Sequence, residues 1–245
     1  MDKSFDFKPI DEEGAETLDV IRAAPRLNRW MYDTIRPFCK GNILEIGSGI
    51  GNISAFFIQN EQFIHLSDIR DVYCERLKSE FGTCPNVLGI DTIDIVASDF
   101  ETRYAHLLGS FDTIFHLNVL EHIENDKLAL QNCYKLLKKD GNLIVLTPAF
   151  QTLYNGFDEA LDHYRRYSKP GLKQLLLQAD FHILHSQYYN LAGILGWYIS
   201  GKLEKNKTIP MGEMKFYNML VPIFRLIDRI VFNALGLSVV VVGRK

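Results

Sequence analysis

Glu45-Ile46-Gly47-Ser48-Gly49-Ile50-Gly51 sets an acid two residues ahead of a glycine turn. Ile43, Leu44 and Ile46 read as a short strand buried in a parallel sheet. Gly47, Ser48 and Gly49 then force a tight turn, because glycine tolerates positive φ and lets other atoms approach its backbone. From Ile50 onward, Ile50, Ile53, Ala55, Phe56 and Phe57 suit a helix with one apolar side. Strand, glycine turn and helix together cradle a nucleotide-bearing ligand, with the helix N-terminus free to meet negative charge. The spacing says which kind. A dinucleotide fingerprint needs G-x-G-x-x-G/A, and Asn52 occupies the third small position. Glu45 suits a ligand that carries an ammonium group.

Further polar residues fall where strands should end. Asp68 and Ile69 follow Phe63-Ile64-His65-Leu66-Ser67, Asp99 and Phe100 follow a run within Thr92 to Ser98, and Asn118 opens Asn118-Val119-Leu120-Glu121-His122. Asp71 competes with Asp68 as a plain helix cap, Asp91 and Asp94 compete with Asp99, and Glu121 and His122 also suit a simple helix start. The segment from Leu153 to Tyr167 concentrates Tyr154, Asp158, Asp162, His163, Arg165 and Arg166 just after a fifth strand. His163 is the candidate general base, oriented by Asp158 or Asp162, and Arg165 and Arg166 can clamp an anionic group. The competing reading makes the same segment a lid whose arginines pair with acids elsewhere.

These groups need a scaffold, and the chain alternates helices and strands at a regular rhythm. Residues 15–39 read as helical, with Pro25 at a start and Pro37 at an end; strands are expected at 43–46, 63–68, within 92–98, and at 111–118, 142–147, 181–188 and 238–242. Helices are expected over 70–81, 124–138 and 170–179. The expected fold is therefore α/β: a Rossmann-like, doubly wound, mostly parallel seven-stranded sheet with helices on both faces. One domain spans 1–245, with an N-terminal helical cap (15–39), a core sheet (40–189 and 237–245) and a helical insertion (190–236). In that insertion Asn218, Arg225 and Arg229 share a narrow face with Asp228 beside it. The rest is apolar, which suits a buried lid first, and a dimer interface or a lipid contact otherwise; Pro222 suggests a kink or a break. Trp30 and Tyr32 read as packing residues.

Composition narrows the classes. A net charge of −3 argues against a nucleic-acid partner. Cys39, Cys74, Cys84 and Cys133 show no C-x-x-C spacing, which argues against a zinc site and for free thiols in a reducing compartment; no metal is expected. The first residues lack the apolar core of a signal peptide, the first fifteen read as loosely held, and no apolar stretch is long enough to span a bilayer. A cytoplasmic monomer or homodimer is expected, with peripheral membrane contact left open.

The E-x-G-x-G-x-G turn, together with Asp68 and Asn118-Val119-Leu120-Glu121-His122, resembles the class I S-adenosylmethionine-dependent methyltransferases. The resemblance implies S-adenosyl-L-methionine as cofactor, held by Glu45, Gly47, Ser48, Gly49, Asn52, Asp68, Ile69, Asp99, Phe100 and Asn118. In it Asp68 takes the ribose hydroxyls, Asp99 and Phe100 the adenine, and Asn118 the methionine part. The Leu153-Tyr154…His163-Tyr164-Arg165-Arg166-Tyr167 segment resembles a bacterial subgroup often associated with glycan or cell-envelope synthesis. That likeness does not fix a substrate; a small-molecule, glycan or lipid-linked acceptor methylated at oxygen is expected, with Tyr154, Asp158, Arg165 and Arg166 at the substrate. A nicotinamide-dependent oxidoreductase and a cofactor-binding protein without catalysis are the alternatives.

Overall fold

The structure, a computed structural model, describes residues 12–200 and 210–245. Expectations for the first eleven residues, and for 201–209 of the insertion, lie outside the described residues. The central sheet comprises β1 (Ile43–Ile46), β2 (Ile64–Asp68), β3 (Val87–Thr92), β4 (Phe111–Leu117), β5 (Leu137–Pro148), β6 (His182–Tyr189) and β7 (Ser238–Arg244), in the order β3-β2-β1-β4-β5-β7-β6. The strands from β3 to β5 pair in parallel, and β7 runs antiparallel to both β5 and β6. The order reverses at β1 and β4, so a crevice opens beyond their carboxyl ends, where ligands of open α/β sheets bind.

Each face of the sheet has its own core. Leu44, Ile46, Ile114, Leu143 and Val145 point to one, with Leu130, Leu136 and Leu172 packed on them from α6 (Asp126–Leu136) and α8 (Lys169–Gln178). Ile43, Ile64, Leu66, Phe115, Ile144 and Val240 point to the other. There α2 (Pro25–Ile35), α3 (Ser54–Gln59) and α4 (Asp71–Phe81) supply Trp30, Tyr32, Phe57, Leu77 and Phe81. That alternation, with both faces covered, is what a parallel sheet requires of its strands. Trp30 and Tyr32 are packing residues, Trp30 lying 4.5 Å from the Tyr189 ring.

Three boundaries differ from the sequence reading. The third strand is Val87–Thr92, not 92–98: Leu66, Ser67 and Asp68 pair with Ile90, Asp91 and Thr92, which leaves 93–99 to turn away past the strand end. The helix after the glycine turn begins at Ser54, because Gly47, Gly49 and Gly51 all adopt positive φ (74°, 53° and 81°) and hold the chain in a longer loop. The N-terminal helical region divides into α1 (Glu12–Arg22) and α2, with Pro25 opening the second.

The insertion supplies α9 (Leu191–Tyr198) and α10 (Met211–Ile230). Pro222 lies inside α10, which runs on through it rather than breaking. Asn218 of α10 accepts from the Arg26 and Leu27 amides (2.8 and 3.2 Å) and so caps the first turn of α2, while Arg225 pairs with Asp33 at 2.9 Å. Its other side leaves Phe216, Met219, Ile223, Leu226 and Ile230 exposed. Among the described residues no helix is long and apolar enough to cross a membrane.

Candidate active site

A deep cleft of about 1180 Å³ opens at the carboxyl ends of β1, β2 and β4. That is ample for a nucleoside-sized cofactor and part of an acceptor together. Its floor is the glycine loop. Gly47 sits under Val119, whose Cγ2 would clash with an added Cβ, and a Cβ on Gly49 would lie 3.0 Å from the Leu18 side chain of α1. Positive φ and the close neighbours each exclude a side chain at Gly47.

Below the loop, carboxylates hold the backbone in place. Asp68 accepts from the Gly49 amide at 2.9 Å and the Arg70 amide at 3.0 Å. Burial raises the Asp68 pKa, and those amide bonds work against the rise. Glu45 is buried and takes a hydrogen bond from Ser54, and burial pushes its pKa up to about 7. Ser67 and Ser48 knit the loop to β1 and β2: the Ser67 hydroxyl donates to the Glu45 carbonyl at 2.8 Å, and the Ser48 amide donates to the Ser67 carbonyl, also at 2.8 Å. Asn52 donates to the Leu18 carbonyl at 3.0 Å, which ties α1 over the loop.

Glu45, Gly47, Ser48, Gly49, Asn52, Asp68, Ile69 and Asn118 all line the cleft. Asn118 closes β4 in the left-handed region (φ 54°), which asparagine tolerates better than most residues. Asp99 and Phe100 do not line it, contrary to expectation. With β3 ending at Thr92, Asp99 lies outside the cleft lining, exposed and paired with Arg103 at 3.2 Å. Phe100 is buried in the core against Tyr104. Ile93, Asp94, Ile95 and Val96 occupy that wall instead.

Another wall of the cleft is built by the segment after β5. Here α7 (Gly156–Ala160) is opened by a reciprocal cap in which Asn155 accepts from the Phe157 amide and Asp158 accepts from the Asn155 amide. The fully buried Asp158 carboxylate also accepts from His163 Nδ1 and from Arg166 Nε, both at 2.8 Å. Burial alone would raise the Asp158 pKa, but the His163 and Arg166 hydrogen bonds outweigh it and hold the pKa below the ordinary value. An ionised carboxylate only accepts, so His163 Nδ1 carries the proton of this hydrogen bond and Nε2 is the nitrogen turned away from Asp158.

His163 and Tyr154 line the cleft, and the Tyr154 hydroxyl donates to the His163 carbonyl at 2.7 Å. Arg166 lines it too, but its guanidinium is committed to Asp158 and to the Ala149 carbonyl (3.2 Å) and lies over the Trp197 ring. Asp158 and Arg165 are corrections: neither lines the cleft. Asp158 stands behind His163, and Arg165 turns outward to Asp126 (2.9 Å) and the Glu124 carbonyl.

Glu121 and His122, on a single 3-10 turn after β4, lie at the cleft beside His163, and the two imidazoles stand edge to face at 4.6 Å. The roof comes from the N-terminal helices and the insertion, and the sequence reading did not single out its residues: Leu18, Asn190, Tyr217 and Phe224, with Met31 and Trp197. An apolar circumference wider than a surface helix needs was the signal for the insertion.

Residues 44–143 match the family described as a methyltransferase domain. No curated protein matches the chain. Among solved structures, the chain resembles a SAM-dependent methyltransferase from Archaeoglobus fulgidus at 14% identity, over 89% of this chain and 94% of that one, with a TM-score of 0.56. It also resembles phosphoethanolamine N-methyltransferase 2 from Haemonchus contortus (15% identity, 96% and 58% of the two chains, TM-score 0.60). A third is the CurJ carbon methyltransferase (15% identity, 97% and 61%, TM-score 0.59). These likenesses are of fold. The domain match spans the strand, glycine loop and β4 that build the cleft, and the fold around it is the one these S-adenosylmethionine-dependent methyltransferases share.

Proposed function

We propose that the protein methylates an oxygen of a small-molecule, glycan or lipid-linked acceptor, in the cytoplasm. The observation that carries this reading is the Asp158–His163 pair at the cleft wall. Methyl transfer from a sulfonium is an in-line displacement, so orientation supplies most of the acceleration. A hydroxyl acceptor must in addition lose its proton, and an imidazole with a free Nε2, fixed by a buried carboxylate, is suited to take it. Oxygen is not the acceptor atom throughout the fold, since the Haemonchus contortus protein is an N-methyltransferase and CurJ a carbon methyltransferase. The aspartate-oriented base is what favours oxygen here.

In the same reading Glu45 faces the cofactor's ammonium group across the glycine loop, and Gly47, Ser48, Gly49 and Asn52 form its floor. Asp68 and Ile69 meet the ribose, Asp94 replaces Asp99 near the adenine, and Asn118 meets the methionine chain. Tyr154 and Arg166, which line the cleft, face the acceptor.

Incubating the protein with methyl-labelled S-adenosylmethionine and cell-envelope extracts should label a glycan or lipid fraction, and alkaline-stable ether linkage of the label would identify oxygen. Label confined to nitrogen or carbon would overturn the acceptor atom. Asp68→Ala should weaken S-adenosylhomocysteine binding by about 1.5–3 kcal/mol for each charge-assisted bond lost. Unchanged affinity would move the ribose contact elsewhere.

A further inference from the structure

Glu121, His122 and His163 each bring one ligating atom within 4.8 Å of the others. They come from two segments forty residues apart that the backbone fastens together: the Tyr164 amide donates to the Glu121 carbonyl at 2.8 Å, and the His163 amide to the Asp158 carbonyl at 2.8 Å. Glu121 is fully buried, and neither of its carboxylate oxygens has a hydrogen-bond partner. A buried carboxylate without partners is costly, and a cation removes that cost.

His163 is already arranged as a ligand. Asp158 holds its Nδ1, so the remaining ligand atom is Nε2, and Asp158 is itself fixed by Arg166 and the Asn155 amide. A carboxylate that orients the far nitrogen of an imidazole is the usual outer shell of a histidine metal ligand. All three groups face the cleft.

We propose that Glu121, His122 and His163 bind one divalent transition-metal ion at the acceptor end of the cleft. Two imidazoles with one carboxylate suit zinc, iron, cobalt or manganese, whereas magnesium and calcium prefer all-oxygen sets. Three protein ligands leave coordination positions open toward the cleft. Resting on the oxygen-acceptor reading, those positions take the acceptor hydroxyl, and the ion changes His163 from free base to ligand. The coordinated hydroxyl releases its proton to water. Its oxygen lone pair forms the O–C bond while the C–S bond breaks, its electron pair returning to sulfur, to give the methyl ether and S-adenosylhomocysteine.

The test needs no acceptor. Untagged full-length protein, stripped with chelator, is titrated with Co²⁺ and with Zn²⁺, and S-adenosylhomocysteine binding is measured on the same samples to report the intact fold. One equivalent of Co²⁺ should bind, with visible absorption of a nitrogen and oxygen site and without thiolate charge-transfer bands. Glu121→Gln and His122→Asn should each abolish that spectrum while cofactor binding persists, and Asp158→Asn should weaken metal affinity about 10–100-fold. Wild-type protein that binds S-adenosylhomocysteine but neither ion, or binding unchanged in both Glu121→Gln and His122→Asn, would overturn the site. Because the readout is metal binding, its failure leaves the oxygen-acceptor reading to be decided by the extract experiment alone.

Discussion

Glu45 and Gly49 lie on the two sides of one backbone loop, and their physics differ. Burial lifts the Glu45 pKa to about 7, so in the unliganded protein its carboxyl is half protonated near neutrality. The sign follows from linkage. A folded pKa above the unfolded one stabilises the fold below the unfolded value, and that contribution is lost as pH rises through about 7. A cofactor ammonium reverses the preference, since it favours the ionised form. S-adenosylhomocysteine affinity should therefore rise between about pH 5.5 and about pH 7.5, and Glu45→Gln should flatten that rise; a slope left intact in the variant by calorimetry would place the titrating group elsewhere. At Gly49 the constraint is steric: a side chain meets Leu18 and must hold φ at 53°. Gly49→Val should lower cofactor affinity by at least tenfold, read in the same titrations. Both residues were legible in the sequence because a glycine turn after a strand is a local pattern. Asp99 and Arg165 were misplaced because where a polar residue points depends on where the strand beside it stops and on which acid waits across a loop. Neither is a local property.

At the scale of elements, the insertion is fastened by polar residues set into apolar surroundings. Asp228 of α10 is buried and accepts from the Asn190 and Leu191 amides at 2.6 and 2.9 Å, which caps the first turn of α9. Asn190 itself takes a left-handed conformation (φ 68°) and accepts from the Gly193 amide. Asp228→Ala leaves two buried donors without partners, at about 1–3 kcal/mol each. The variant should show a lower urea midpoint at unchanged slope, whereas Asn218→Ala, which loses only a cap at the edge of α2, should cost about 1 kcal/mol. Equal losses in the two variants would mean that α9 does not depend on the Asp228 cap. The core strands and their helices were readable from alternating apolar runs, and the parallel sheet followed from their rhythm. β3 was displaced because Val87–Thr92 carries only one deeply buried residue, Ile90, so its pattern is weaker than that of the apolar turn after it. The insertion was seen as a helix with a wide apolar side and a narrow polar one but not as capped, since Asp228 and Asn190 are thirty-eight residues apart.

Over the whole molecule, the cleft has walls of unequal strength. Its floor belongs to a sheet buried on both faces and one side of its roof to the core helix α2, while α1, α9 and α10 reach the core through fewer side chains. Leu18 packs on Gly49, the Leu18 carbonyl accepts from Asn52, and Tyr217 bonds Asn190, contacts that tie α1 and α10 to the site. Segments held this way open at lower free energy than the sheet does. A cofactor that fills the space between floor and roof adds its binding energy to both, and at about a hundredfold excess over its dissociation constant it stabilises the bound form by about 2.7 kcal/mol. Hydrogen exchange should therefore slow most in α1 and in the Met214–Val221 part of α10 when S-adenosylhomocysteine is added, and only modestly in β1, β4 and β5, already protected by the global fold. NAD should produce neither this protection nor a thermal shift, because Asn52 leaves the glycine loop without the small third residue that a pyrophosphate site uses. Protection confined to the strands, with α1 and α10 exchanging as before, would mean that the helices flank the cofactor without closing on it, and that acceptor rather than cofactor is what draws them down.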